Sequence, residues 1–448
     1  MVASHMGSDL LEPSAVCAAQ APALTPTMDD ATAAAVRALG RTEDVMFSPG
    51  GALVAIVGHL ANEILLLKVA ITPQAGAAVR IDLSAPVRLA SASMAYPHGV
   101  CWLTDDVIVV ANRQGKACAF RLPPSMPQGL VHLEPAFIFG ADDTSHVHTP
   151  GSVSTRQLAP NCWEVILCNN YAHQVSQHLI ELHPSVRHVA DSLLVQRGLE
   201  IPDGVAQSAD GHWIAVSNHN EHAVRIYRNR PHLGPDSDPD ALLVGVNFPH
   251  GLRFTPCGRH LVVADAGLPF VHVFDAADGN WSGTYSAPRS FKVVDDAAYW
   301  RGRHNPQEGG PKGIDFVPGH PILIVTNHEQ PLAFFDLSAF LTPAVPLASP
   351  TGDDSNVISL SRHLRAQADQ LQETRDAAAG LKTEWLATQK ALNEQTDRLV
   401  ALSTRLDQCQ RELDDMRSCR SWRITAPYRK VGVWAHQWMA RATRRPAI

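Results

Sequence analysis

One short motif returns six times between residues 41 and 345, and it restricts the fold more than any other feature of the 448-residue chain. Each copy opens on Pro-x-Gly-Val or a variant of it. A short apolar strand follows, then a turn, a strand ending in Asn or Asp, and a third strand of alternating pattern. The clearest copies run from Ile201-Pro202-Asp203-Gly204-Val205 through Ile214–Asn218 to Val224–Tyr227, and from Pro249-His250-Gly251-Leu252 through Leu261–Asp265 to Val271–Phe274. Pro97-His98-Gly99-Val100 leads to Val109–Asn112, and Pro311-Lys312-Gly313-Ile314 leads to Ile324–Asn327. Two copies are degenerate. They open at Thr42-Glu43-Asp44-Val45 and at Pro150-Gly151-Ser152-Val153. Starts 47 to 62 residues apart, built of short strands with Gly, Pro, Asn and Asp in the turns, predict one propeller blade per copy. The expected class is all-β, a six-bladed β-propeller over residues 41–345. The last copy shows three strands, so residues 1–40 are expected to supply the fourth and leave no sheet edge free. A seven-bladed alternative would make residues 281–305 an irregular extra blade.

The pattern changes after a linker at 346–356. From Leu364 to Leu413 an apolar residue recurs every seventh position: Leu364, Leu371, Ala378, Trp385, Leu392, Leu399, Leu406 and Leu413. Residues 357–416 therefore read as a coiled coil, expected to join copies of the chain. Its second seam carries Gln367, Thr374, Thr388 and Gln395, polar positions that weaken the coil and fix register. The alternative is one long helix packed back on the propeller. Residues 417–448 hold eight Lys/Arg, no Asp or Glu, and Trp422, Trp434 and Trp438. The whole chain carries a net charge of −7, so the rest of it is near −15. A basic, Trp-bearing amphipathic tail suits an anionic membrane surface or a partner protein.

Composition sets outer limits. An apolar fraction of 45% with 18% charged residues excludes a mainly disordered chain. No run of 18 apolar residues is present, so no transmembrane helix is expected. The acidic balance argues against a nucleic-acid partner. The eight cysteines, Cys17, Cys101, Cys118, Cys162, Cys168, Cys257, Cys409 and Cys419, form no Cys-x-x-Cys pair and read as reduced core residues. No basic stretch followed by an apolar core opens the chain, so the cytoplasm is the expected compartment. Met-Val-Ala-Ser-His-Met at the start reads as a cloning remnant.

The first strand of each propeller blade lines the central channel, which places the x of Pro-x-Gly at its entrance. Across the six blades that position holds Glu43, His98, Gly151, Asp203, His250 and Lys312. Two carboxylates, two imidazoles and an amine converging on one axis are candidate catalytic residues. Glu43, His98, Asp203 and His250 can alternatively hold one divalent metal ion. A second ring follows the strand-ending Asn or Asp: His59, Arg113, Asn170, His219, Ala266 and His328. Arg113, His219 and His328 are candidate substrate contacts, with His148 from the cluster Asp142–His148. The strand-ending residues themselves read as turn-formers. Nucleotide-binding and α/β-hydrolase signatures are missing from the sequence.

Two resemblances bear on function. Asp203-Gly204-Val205, Ala209-Asp210-Gly211 and the strand ending at Asn218 resemble YVTN-type and gluconolactonase-like propellers. The latter bind a metal through a Glu of the first blade and Asn or Asp at strand starts. The resemblance implies such roles for Glu43 and Asp203. His98 and His250 depart from that pattern, and histidine would favour zinc, iron or manganese, or no metal. Separately, Ser418-Cys419-Arg420-Ser421-Trp422-Arg423-Ile424-Thr425-Ala426-Pro427-Tyr428-Arg429 resembles the ending of bacterial surface-polysaccharide (O-antigen) biosynthesis proteins, where it follows a coiled coil. That likeness implies work at the inner face of a bacterial membrane. Three functions are open at this point. The propeller binds or modifies a sugar or glycan intermediate, it is a metal-dependent lactonase-like hydrolase in which Lys312 stabilises the oxyanion, or it is a non-catalytic docking scaffold.

Overall fold

A computed structural model describes residues 20–74, 79–127, 129–140, 145–286, 289–305 and 307–341, and, beyond these, Arg405, Gln408, Gln410, Thr425, 431–436 and Met439. The chain divides into two compact units, Met1–Val345 and Pro346–Ile448. The first is a six-bladed β-propeller. Its inner strands are Thr42–Phe47, Pro97–Thr104, Pro150–Ala159, Pro202–Gln207, Pro249–Phe254 and Ile314–Phe316, one from each of six separate sheets.

The ring closes as the repeat requires. Ala23–Leu24 pairs antiparallel with Ala333–Asp336 and becomes the outer strand of blade 6. Residues 281–305 form no seventh blade. Gly283–Ser286 adds in parallel to the edge of blade 4, and Arg289–Lys292 is the outer strand of blade 5. The helix Asp296–Gly302 follows, with the Asp295 carboxylate accepting from the Ala298 amide at its N-terminus. The seven-bladed alternative fails because this insertion extends existing edges.

The core is a ring of six apolar clusters, one at each contact between neighbouring blades. Strand alternation produces it. In the second strand of blade 2, Ile108 and Val110 pack toward blade 1, whereas Val107, Val109 and Ala111 pack toward blade 3. Both faces are buried, so these strands read as continuous apolar runs. Cys101, Cys118 and Cys168 are buried free thiols among them.

Gly of the Pro-x-Gly motif marks the narrow neck of the ring. A Cβ on Gly204 would lie 2.1 Å from the His250 carbonyl oxygen, and one on Gly251 would lie 2.4 Å from that of Lys312. Only glycine lets adjacent inner strands approach this closely. The Gly251 amide uses the approach to donate to the Lys312 carbonyl at 2.9 Å.

In the second unit, Arg405, Gln408, Gln410, 431–436 and Met439 are helical. The rest of the coiled-coil and tail readings lies outside the described residues. No helix among the described residues is long and apolar enough to cross a membrane.

Candidate functional site

The residue before Pro in four blades adopts a left-handed conformation: Tyr96, Thr149, Ile201 and Phe248 have φ between 49° and 55°. That conformation is costly for bulky and β-branched side chains, and it collects where a site is being held in shape. Its consequence is specific. The carbonyl of each turns back to accept the amide of the residue after the strand-ending Asn or Asp, namely Arg113, Asn170, His219 and Ala266. The two sequence rings are thereby fastened together. Blade 6 lacks this link: no bond joins the His328 amide to the Gly310 carbonyl, which accepts instead from the Asn327 side-chain amide at 2.6 Å.

The strand-ending residues are buried turn-formers. Asn218, for example, accepts from the Glu200 amide at 2.6 Å and donates to the Gly198 carbonyl at 3.0 Å.

Glu43, His98, Asp203, His250 and Lys312 meet at the channel mouth, each less than a tenth exposed. Lys312 Nζ lies 3.0 Å from both Glu43 oxygens, and Arg41 donates to Oε1 of the same carboxylate. His250 Nε2 sits between the carboxylates, 3.5 Å from Glu43 and 3.3 Å from Asp203. Asp203 also accepts from Arg113 at 3.2 Å and Asn170 at 2.6 Å, with His219 Nδ1 at 3.7 Å. His98 donates from Nδ1 to the Gly151 carbonyl at 2.8 Å, which leaves Nε2 as an acceptor for Arg113.

Burial opposes the charge on Glu43 and Asp203, but the cations outweigh it. Lys312 foremost, with Arg41, holds the Glu43 carboxyl well below the usual range, and His250 and Arg113 do the same for Asp203. Burial, reinforced by Arg113, pushes His98 well below the usual imidazole value. Burial pushes His219 down to about 4. The cluster at neutral pH is a pair of ionised carboxylates locked among fixed cations, with His98 and His219 neutral.

Of the predicted substrate contacts, Arg113 and His219 join this cluster. His328 does not. It faces His304 at 5.5 Å between ring centres and feels Arg41 and Glu308 at the rim. His148 is exposed, its amide held by Asn169, and lies outside the cluster. Asp142–Thr144 lie outside the described residues. Sequence reasoning missed Arg41, Glu308 and a deeper layer. Glu308 bridges Arg41 at 3.0 Å and Lys312 at 3.2 Å. Below the mouth, Arg253 sits 3.5 Å from Asp44 and 3.4 Å from Asp315. Arg253 and Asp315 stand three residues after the x of their motifs, a spacing that could have flagged them. At the far end of the inner strands, Asp315, Gln207, Cys257 and His260 line a cavity of about 610 Å³.

The ring resemblance implies a metal, and the donor set tests it. Ligand atoms of Glu43, His98 and His250 lie within 4.8 Å of one another. Each carboxylate is already paired with fixed cations, however, and His98 Nε2 already accepts a hydrogen bond from Arg113. A dication here would face Lys312, Arg41 and Arg113 at contact range in a buried site. The set does not fit a divalent ion, and no step is derived through one.

Two exposed aromatic rings border the cluster: Tyr96 and Tyr171, 42% and 63% exposed. Arg113 lies over the Tyr171 ring at 5.7 Å, and His59 packs on Tyr96 at 5.3 Å.

Known proteins give the following likenesses. Residues 12–153 match the model of the Gmad1 family, the lipoprotein LpqB β-propeller domain. No curated protein matches the sequence. Among solved structures, a protein assigned as a gluconolactonase is similar over 70% of this chain and 91% of its own, at 12% identity and a TM-score of 0.42. Regucalcin, a calcium-binding protein of Agrobacterium tumefaciens, is similar over 66% of this chain and 89% of its own, at 13% identity and a TM-score of 0.40. A nidogen–laminin complex is similar over 59% and 82%, at 14% identity and a TM-score of 0.38. The six sheets make the described residues 20–341 a β-propeller, and the family model, which covers residues 12–153, agrees with that fold.

Proposed function

We propose that the propeller is a carbohydrate-binding head acting in bacterial surface-polysaccharide assembly. One observation carries the reading: charged and imidazole side chains from five blades converge beside two exposed tyrosine rings. Sugars present hydroxyls, which fixed carboxylates and guanidinium groups bind by hydrogen bonds. They also present apolar C–H faces, on which Tyr171 and Tyr96 can stack. Because the charges are mutually paired, the site offers orientation without a large net field, as suits a neutral or weakly charged glycan. His250, between two carboxylates, is the group best placed to pass a proton if the bound glycan is modified. The motif at Ser418–Arg429 supports the biological setting. The basic tail would hold the protein at the inner face of the membrane, and the heptads at 357–416 would multiply the head.

The test is saturation-transfer NMR of the full chain with a panel of neutral monosaccharides, uronic acids and nucleotide sugars. The reading expects transfer to at least one sugar, lost in Asp203→Asn and weakened in Tyr171→Ala. Absence of transfer from every class would sink it. The metal-dependent hydrolase is a competing reading: Glu43, His98 and His250 converge, but the cations already paired with the carboxylates weigh against an ion there. Its signature would be lactone hydrolysis abolished by chelation. A docking scaffold would show neither sugar transfer nor hydrolysis.

A further inference from the structure

Blade 3 carries a second histidine–carboxylate cluster, away from the channel. His178 lies on its third strand, Gln174–Glu181, and His188 and Asp191 on its outer strand, Arg187–Val195. His178 stands directly opposite Asp191 in the ladder. In a regular strand, residues three apart point to opposite faces. Here the register slips between Leu179 and Ile180, whose partners are Ala190 and His188, so Val189 is an extra, unpaired residue. That bulge brings His188 and Asp191 to one face. Val189 itself is 53% exposed.

We infer that His178, His188 and Asp191 form a binding site for a first-row divalent metal ion, zinc in the first place. Their ligand atoms lie within 4.8 Å of one another. Ligands about 2.0–2.2 Å from a tetrahedral ion are about 3.3–3.5 Å apart, so closure needs side-chain shifts of about an ångström. Two of the nitrogens are conspicuous. His178 Nδ1 and His188 Nε2 are buried and make no hydrogen bond, although His178 as a whole is 1% exposed. A buried unpartnered imidazole nitrogen is costly unless something binds it.

The surroundings suit a metal. His178 Nε2 lies 2.9 Å from Ser176 Oγ; with the proton on Nε2, the hydroxyl accepts that hydrogen bond and Nδ1 keeps its lone pair for the ion. Asp191 is oriented by Ser145 Oγ at 2.9 Å and by His146 Nδ1 at 2.7 Å. The charged groups acting on His178 are Asp191, His188 and His146, with no lysine or arginine among them. Asp191 is 16% exposed, which gives an entry path. Three protein ligands leave a fourth position for water. The ion would also fasten the 145–148 segment, which leads straight into the inner strand at Pro150, to the outer strands of the blade.

Cobalt(II) serves as the probe, because a low-symmetry site of nitrogen and oxygen ligands gives it visible d–d absorption. Titration of the metal-free full chain should show absorption saturating at one ion per chain, displaced by zinc, with a rise in Tm. His188→Gln and Asp191→Asn should each abolish both signals, while Glu43→Gln should keep them. Metal-free unfolding of the two variants checks that each still folds, and Asp191→Asn preserves shape if His188→Gln does not fold. The inference is overturned if the wild type shows no saturable absorption, or if both folded variants retain it.

Discussion

The channel mouth and the blade 3 cluster use the same residue types and arrive at opposite electrostatic states. At the mouth, Glu43 and Asp203 are surrounded by Lys312, Arg41 and Arg113, and the histidines mostly have assigned partners. In blade 3, Asp191 is met by Ser145 and by His146 and His178, the last at 3.6 Å, and two imidazole nitrogens make no hydrogen bond. The counter-charges, rather than the donor list, decide which cluster is closed on itself and which still needs an ion. A roll of His, Asp and Glu read from sequence cannot distinguish them.

The difference predicts unequal costs of mutation. Lys312→Met should be the most damaging change, because it leaves the buried Glu43 charge short of a partner. A loss of about 3–5 kcal/mol in denaturant unfolding is expected. Glu43→Gln/Lys312→Met should recover part of it. By contrast, Asp191→Asn in the metal-free protein should cost about 1 kcal/mol or less, because Asp191 is partly exposed and the amide oxygen can still accept from Ser145 and His146. Equal costs at the two places would break the comparison.

Acid should act on the mouth in two stages. His219 titrates near 4 in the fold against 6.5 when unperturbed. The unfolded chain therefore binds more protons between those values. The stability from keeping His219 neutral is complete above pH 6.5 and lost as pH falls to about 4, on the order of 3 kcal/mol. Glu43 and Asp203, held below their usual range, add a second loss at still lower pH. Chemical denaturation from pH 7 to 4 should show the first stage, and His219→Asn should flatten it. An unchanged slope in that variant would remove His219 from the account.

Gly251→Ala tests the neck that gathers the mouth residues. Its Cβ would meet the Lys312 carbonyl at 2.4 Å, so a loss of about 1–3 kcal/mol is expected, together with weakened sugar transfer. The smallest effect belongs to Tyr171→Ala. Stability should stay within about 0.5 kcal/mol, because the ring is exposed, while sugar binding falls. A stability loss without a binding loss would make Tyr171 a packing residue.

The blade pattern was legible because each Pro-x-Gly start repeats a backbone requirement: a tight approach that only Gly permits, followed by a strand buried on both faces. The same logic located Glu43, His98, Asp203, His250 and Lys312, since one position per blade lines the mouth. Arg41 escaped because it stands two residues before the x position, at the place Tyr96 and Ile201 hold in their blades, and Glu308 because it lies between repeats; both reach the cluster through long side chains. His328 was misplaced because blade 6 breaks the backbone link that the other blades keep. The blade 3 cluster was invisible for a different reason. It depends on a bulge at Val189 that changes which residues share a face, and no periodic pattern announces a single slipped register.

The most direct measurement is elemental analysis of Asp203→Asn and Asp191→Asn full chains, each equilibrated with a slight excess of zinc and freed of unbound ion. The account predicts one zinc per chain in Asp203→Asn and none in Asp191→Asn. Zinc retained in Asp191→Asn but lost in Asp203→Asn would place the metal at the channel mouth and contradict it.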